Sequence, residues 1–261
     1  MRRADYTGAE LEAALAACGV VPGAVVFCHS NIGYFGRPEG ASGGPAVCDL
    51  VIASFRNLLG RTGTLVVPTF SYSFGSDKND RRFDPATSPS VCGMLSEYTR
   101  KLPDARRSLD PMFSVAGLGA RAQELTAGLC TECFGEDSFW RRFLDAGGIF
   151  ANLNLDAGST FIHFVERRLG VSYRENRTFA GALVLDGVEQ HHELVYFSRR
   201  LDDPDSSPAF ERFDRLARAG GLVRSAPVGR GAVVGLSAAD TVRLIADTLP
   251  REPRLLTKAG A

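Results

Sequence analysis

No stretch of the 261 residues approaches the ~20 consecutive apolar positions that cross a bilayer. Charge of either sign is not in excess: 30 Lys and Arg balance 30 Asp and Glu. That excludes a nucleic-acid or membrane-surface partner recruited by net charge. The first residues, MRRADYTGAELEAALAACG, lack the uninterrupted apolar core of a signal peptide, so a cytoplasmic protein is expected. Six cysteines are present, and with no export signal they are expected as reduced, buried thiols. Cys130-Thr-Glu-Cys133 has no second CxxC for a zinc ribbon, which leaves a structural or a redox pair. GxGxxG, GxxxxGK[ST] and GxSxG are all missing. Their absence removes the dinucleotide fingerprint, the P-loop and the hydrolase nucleophile elbow.

What is present reads as an α/β chain. A helix is predicted from Thr7, with Glu10 three residues on in a capping-box pattern. Apolar runs at Ala24–Cys28, Gly63–Pro68, Phe113–Ala116 and Gly148–Leu155 read as buried strands. Helical patterns stand between them at Pro45–Leu59, Val91–Arg100 (Ser90 as its N-cap), Ala120–Leu125 and from Ser138 onward. Alternation of this kind predicts a layered α/β/α sandwich around a central mixed sheet. Beyond Gly170 the pattern changes. Phe179–Leu185 and Gln190–Phe197 flank Asp186-Gly187, a hairpin signal. A helix over Phe210–Gly220, strands at Leu222–Pro227 and Gly231–Leu236, a helix over Ala238–Thr248 and a loose tail from Arg251 follow. The expected organisation is one domain over 1–261. Residues 1–170 form the α/β core, and 171–261 form a smaller antiparallel hairpin region with closing elements.

Of four histidines, two carry chemistry on this reading. His29 opens the polar, glycine-punctuated loop His29-Ser-Asn-Ile-Gly-Tyr-Phe-Gly36 at the end of the first strand, where open α/β sheets bind ligands. Taken alone, its glycines read more readily as plain turns. His163 lies in Asp156–Gly170, DAGSTFIHFVERRLG, read as a loop, a Ser159/Thr160 cap and a helix stopped by Gly170. In the first helical turn the macrodipole disfavours an imidazolium, so His163 should be neutral and basic. Glu166 shares its face and could orient the ring. The other reading is an ordinary amphipathic helix with Glu166 in solvent. His191 and His192 point to opposite faces of one strand, so no metal site is expected. Arg106 and Arg107 make either an anion site or a solvated face.

Five blocks, HSNIGYFGRPEG, FDPATSPSVCGMLSE, ARRSLDPMFSVAGLG, GEDSFW and STFIHFVE, occur in this order. Together they resemble the antibiotic N-acetyltransferase family, typified by the aminoglycoside 3-N-acetyltransferases. The resemblance runs from about Ala24 to Gly170. It implies helices layered over a central sheet, an acetyl-CoA or other acyl-CoA donor, a small-molecule amine acceptor and direct transfer without a covalent enzyme intermediate. It implies His163 as general base with Glu166 beside it. CoA is then expected at His29, Ser30, Asn31, Ile32 and Gly36, and at Arg107, Ser108, Phe113 and Ser114. Tyr72, Asp84, Thr160 and Arg199 are the candidate acceptor contacts. Two positions depart from the family pattern: Asp110 replaces a common histidine, and an acidic segment expected after the hairpin is missing, with Arg199 and Arg200 nearby. These departures favour an acceptor bearing a carboxylate or phosphate, in biosynthesis of an amino sugar or secondary metabolite; an aminoglycoside 3-N-acetyltransferase conferring resistance is the close alternative. A CoA-binding scaffold without catalysis and a hydrolase using Cys28 or a serine are the other classes. Monomer and homodimer are both left open.

Overall fold

The computed structural model describes residues 4–260; Met1, Arg2, Arg3 and Ala261 lie outside them. Helix α1 (Gly8–Ala17) begins as Thr7 predicts. The Thr7 hydroxyl accepts from Glu10 N at 3.1 Å while the Glu10 carboxylate accepts from Thr7 N at 2.7 Å. Then come β1 (Val25–Phe27), α2 (Gly44–Leu59), β2 (Thr64–Pro68), β3 (Arg82–Phe83) and α3 (Met94–Thr99). The middle of the chain forms β4 (Arg106–Arg107), β5 (Val115–Gly119), α4 (Ala122–Thr126), α5 (Phe139–Asp145), β6 (Ile149–Leu153) and α6 (Ile162–Leu169). The last third forms β7 (Arg174–Leu185), β8 (Val188–Arg199), α7 (Glu211–Ala219), β9 (Arg224–Val228), β10 (Gly231–Ser237) and α8 (Ala238–Thr248).

Seven strands form the main sheet in the order β4-β5-β2-β1-β6-β10-β9. β2, β1 and β6 run parallel, while β5 and β10 pair antiparallel on either side of them. Successive side chains of a strand alternate faces, and the core divides accordingly. Val25, Phe27, Val66 and Phe150 join the aromatic cluster of α5 and α6. Val26, Cys28, Leu65, Val67 and Ala151 pack with α1 and α2. The result is an α/β/α sandwich. From β1 the chain reaches β2 on one side and later β6 on the other, so the carboxyl ends of β1 and β6 open a crevice at the point where strand order reverses.

A smaller sheet has the order β3-β7-β8. Its hairpin is longer than predicted, with 12 residues in each strand. Asp186 and Gly187 both have positive φ, 50° and 80°, as a tight two-residue turn between twisted strands requires. β9 and β10 belong to the main sheet rather than to this one, so of the chain beyond 170 the hairpin forms the smaller sheet while the closing strands complete the main one.

Three local expectations are corrected. Ser90 does not cap α3: Gly93 precedes the helix, and the Ser90 hydroxyl accepts from Cys92 N at 3.1 Å, closing its own short turn. Ser159 and Thr160 do not cap α6 through their side chains. Their carbonyls accept from Ile162 N and His163 N instead, at 3.1 and 3.0 Å, and Phe161 already has helical φ/ψ. The C-terminal tail is docked, with Leu255 and Leu256 fully buried and Thr257 bridged to Pro208. Burial of two leucines is worth roughly 3–6 kcal/mol, at about 1.5–3 each, enough to hold a segment that polar punctuation alone suggests is free. All six cysteines are unpaired thiols, and no group of metal-holding side chains occurs among the described residues.

Candidate active site

Helix α6 is anchored by Ile162, Phe164 and Val165, all buried. These place His163 and Glu166 on one face, and Gly170, in the left-handed region at φ 63°, ends the helix and turns the chain back. Strand β7 therefore starts directly beneath α6 and delivers Tyr173 and Arg174 to the same spot. Glu166 has no exposed surface, so the solvated amphipathic alternative does not hold. A buried carboxylate needs partners, and it has three. One oxygen, Oε1, accepts from the Tyr173 hydroxyl at 2.9 Å. The other, Oε2, lies 2.6 Å from His163 Nδ1 and 2.6 Å from Arg174 Nε. The Arg174 Nε–H is not aimed along that line, so this last contact is an ion pair rather than a hydrogen bond. Arg174 Nη1 donates to Phe197 O at 3.0 Å, and Nη2 reaches His163 Nδ1 at 2.8 Å.

The tautomer follows from these contacts. Nδ1 meets an acceptor, Glu166 Oε2 at 2.6 Å, and a donor-only group, Arg174 Nη2 at 2.8 Å; we assign its proton by the shorter, carboxylate contact, so Nδ1 donates to Glu166 and the Arg174 approach is charge proximity rather than a hydrogen bond. Nε2 is then the basic nitrogen. Burial, and secondly the Arg174 charge, hold the His163 pKa below its ordinary value against the opposing pull of Glu166. The ring sits between Phe134 and Phe210, at centroid distances of 5.6 and 5.7 Å, with 12% of its side chain exposed.

Phe210 also lines a cleft of about 420 Å³ at the carboxyl ends of β1 and β6, within the size range of small-molecule sites. His163 is not on its wall; one aromatic ring separates them. His29 closes the β1 side, Asp156 and Thr160 the β6 side, and Glu211 the opening of α7. The opposite wall is held in place by Asp214, whose carboxylate accepts from Ala157 N at 2.9 Å. At Gly158 any side chain would press on Phe210, so glycine is required for that close approach. His29 stands edge-on to Phe27 at 4.9 Å with Nε2 buried and without a partner, and burial pushes its pKa down to about 4.

The structure does not bring the remaining predicted residues to this cleft. The Asn31 and Leu153 backbones sew the loop after His29 to β6, with Asn31 N donating to Leu153 O at 2.9 Å and Leu153 N to His29 O at 2.8 Å. Ser30 bridges to Leu153, Ile32 is buried, and Gly36 turns at φ 88° against the Asp5 carboxylate. Arg107 is committed internally. Its guanidinium donates to Pro85 O, Ser88 O, Thr69 O and Ser114 Oγ at 3.1, 2.5, 2.8 and 3.2 Å, above the Phe83 ring. Ser108 accepts from Val115 N, and Ser114 donates to Thr69 O. These groups stitch the strand ends under the 69–90 loop. Phe113 packs among Phe70, Tyr72, Phe134 and Tyr196. Tyr72 is 40% exposed in a left-handed backbone, its hydroxyl pushed up to about 12 chiefly by burial. Asp84 accepts from Ala86 N at 2.8 Å and so closes its own turn. Arg199 ends β8 opposite Arg174 and is half-buried. Of the four acceptor candidates only Thr160 lines the cleft.

Sequence reasoning missed Tyr173, Arg174, Phe210 and Glu211. Tyr173 and Arg174 follow a helix stop with no motif of their own, and Phe210 and Glu211 follow a loop whose path composition does not reveal.

A crevice at a strand-order reversal, beside an imidazole oriented by a buried carboxylate, is the arrangement of an α/β enzyme with a group able to exchange a proton next to its ligand crevice. Comparison gives the particular family. The profile of the family described as aminoglycoside 3-N-acetyltransferase matches residues 27–250, and the chain belongs to that family. Aminoglycoside N(3)-acetyltransferase VII of Streptomyces paromomycinus is 28% identical over 257 residues, spanning 88% of this chain and 87% of its own length. A crystal structure of aminoglycoside acetyltransferase AAC(3)-IVa, as a mutant in complex with a gentamicin, superposes with a TM-score of 0.78 at 25% identity, covering 98% of this chain and 92% of that one. The fold also matches AAC-IIIb in its binary complex with CoASH, at TM-score 0.79 and 24% identity, covering 94% of this chain and 97% of that one. The family and fold resemblance stated from the sequence blocks is thereby borne out.

Proposed function

We propose that the protein transfers an acyl group, acetyl in the simplest case, from acyl-CoA to a primary amine of a polycationic small molecule of the amino-sugar type. The observation that carries this reading is the His163–Glu166–Arg174 arrangement beside the cleft, in a chain of this family. An amine near neutral pH is mostly protonated and must shed a proton before or while it attacks a thioester carbon. That first proton goes to solvent; as the C–N bond forms, Nε2 of a neutral His163 takes a second one from the attacking nitrogen. The imidazolium, stabilised by Glu166 through Nδ1–H, then returns it to sulfur as the C–S bond breaks and CoA leaves as the thiol. Help of this kind is worth about a hundred- to ten-thousand-fold in rate. No serine or cysteine intermediate is invoked: Cys28 is fully buried and its thiol is pushed far up by burial.

The cleft supports a different acceptor from the carboxylate- or phosphate-bearing one expected from the sequence. Its charged wall residues are Asp156 and Glu211, both acidic. Arg199 is not on the wall, and Arg200 is held by Asp202 at 2.9 Å and approached by Glu175 at 3.8 Å. Carboxylates around a cleft favour a cationic amine. No helix among the described residues is long and apolar enough to cross a membrane; six free thiols suit a cytoplasmic setting. The test is release of CoA thiol from acetyl-CoA with and without aminoglycosides and simpler polyamines. Amine-dependent release with an N-acetylated product supports the reading. Release without amine, or none with any amine, ends it.

A further inference from the structure

The carboxylate beside His163 poses a physical problem. Alone, Glu166 would favour the imidazolium, and a base already protonated cannot accept a proton from an amine. Something must offset that field without removing the Nδ1–H contact that orients the ring. The groups facing His163 are few. On its own helix there is Glu166. From β7 come Arg174 and, through Glu166, Tyr173. From the loop before α5 there is Phe134, and from the start of α7 there is Phe210, both apolar. Tyr196 on β8 packs against Phe134 at 5.8 Å, and its hydroxyl is a hydrogen-bond partner of Arg174. Arg167, the other nearby cation of α6, is turned away to Glu132 and lies over Phe197. Arg174 is thus the cation placed to balance Glu166. Its side chain is only 1% exposed, so solvent screens it little, and its bond to Phe197 O fixes its position.

We propose that Arg174 is a positioning residue for the base: wedged between the Glu166 carboxylate and His163 Nδ1, it keeps the ring neutral and its Nε2 lone pair available while Glu166 keeps the ring oriented. Glu166 and Arg174 together carry no net charge, so burial decides the resting state of His163. The same balance makes the imidazolium short-lived, because Arg174 repels it once the amine proton arrives, and this favours handing the proton on to the leaving sulfur. The inference deepens the acyl-transfer reading and rests on it only for that last step; the neutral resting state belongs to the free protein.

The experiment is titration of the His163 Cε1 proton by NMR, with the resonance assigned by its loss in His163→Gln among four histidines. Arg174→Met should move the midpoint upward by about one pH unit or more, as removal of a cation within hydrogen-bond distance predicts. Arg174→Lys should keep it near the parent value. Should Arg174→Met not fold, Glu166→Gln and Glu166→Gln/Arg174→Met form the second comparison, since both lack the buried carboxylate; the double variant should titrate higher than the single one. In turnover, the acid limb of kcat/KM for amine-dependent thiol release should rise with the NMR midpoint in Arg174→Met. Activity on that limb should then fall about tenfold for every pH unit by which the midpoint rises, and recover at higher pH. A structural role alone would lower activity at every pH without moving the limb. Equal midpoints in folded variants with and without Arg174, or failure of Lys to preserve the parent value, overturn the proposal. Raised midpoints without any amine-dependent release would uphold Arg174 and sink the transferase reading instead.

Discussion

His163→Gln isolates the base with little damage to its surroundings. The glutamine amide can donate to Glu166 Oε2 in place of Nδ1–H, and the Glu166–Arg174–Tyr173 contacts do not depend on the imidazole. What is lost structurally is two ring contacts, with Phe134 and Phe210. At about 0.5–1.5 kcal/mol each they sum to about 1–3 kcal/mol, which a chain of this size should survive folded. What is lost chemically is the proton acceptor. A loss of about a hundred- to ten-thousand-fold corresponds to about 2.7–5.5 kcal/mol of barrier, at about 1.36 kcal/mol per tenfold. The assay is initial-rate thiol release from acetyl-CoA at saturating amine, beside thermal unfolding of the same preparation. A folded His163→Gln enzyme with turnover within about threefold of the parent, well short of the smallest loss expected, would refute the base assignment, and with it the derivation from helix position, burial and Nδ1–H geometry.

Asp156→Asn and Glu211→Gln should each raise KM for a polycationic amine by at most about fivefold, the reach of about 1 kcal/mol from a solvent-exposed charge, with kcat held and the effect fading in high salt; an unchanged KM in both would deny the cleft its acceptor role. Tyr173→Phe removes one donor from the fully buried Glu166 and should cost about 1.5–3 kcal/mol in a denaturant titration. Arg107→Met strands the carbonyls of Pro85 and Ser88, while Thr69 O keeps the Ser114 hydroxyl, and should cost at least about 2 kcal/mol, seen as a fall in denaturation midpoint. On acidification two contributions should be lost in sequence. His29 has its folded pKa depressed from 6.5 to about 4. The unfolded chain therefore binds its proton first, and stability falls as pH drops from 6.5 toward 4. Glu97 is depressed from 4.5 to about 2, by its bonds with Arg100, Lys101 and Ser90 N against an opposing desolvation, so its stabilisation is present above 4.5 and lost as pH falls toward 2. Glu97→Gln should flatten only the second decline in pH-dependent urea midpoints.

Local rules carried the fold wherever a residue acts on its own neighbours. Thr7 with Glu10, Asp186-Gly187 between strands and Ser237 capping α8 through Asp240 N are decided within four residues, and such pairings are legible in a short window. Ser90, Ser159 and Thr160 have the same local chemistry, yet the chain solves those turns through backbone carbonyls or a shorter loop. Such competition is settled by tertiary packing, which a window of sequence does not contain. The site divides in the same way. His163 and Glu166 lie three apart on one helix, and spacing reveals them. Arg174 reaches them by a chain reversal, and Phe210 and Glu211 from a different layer. Arg107 shows the converse: a conspicuous cation that makes four hydrogen bonds to its own chain.

Strand β6, which carries one rim of the cleft, is flanked by β1 on one side and by β10 on the other, although β10 follows it by about eighty residues of chain. During synthesis β6 must therefore wait as a bare edge until residues 231–237 have left the ribosome. Loop closure over such a separation is slow compared with the hairpin of β7 and β8. A nascent chain paused between α7 and β10 would hold its histidine on a finished helix and its hairpin fully zipped. It would still lack the strand that seals β6, and it would be exposed to pairing with another copy during that interval.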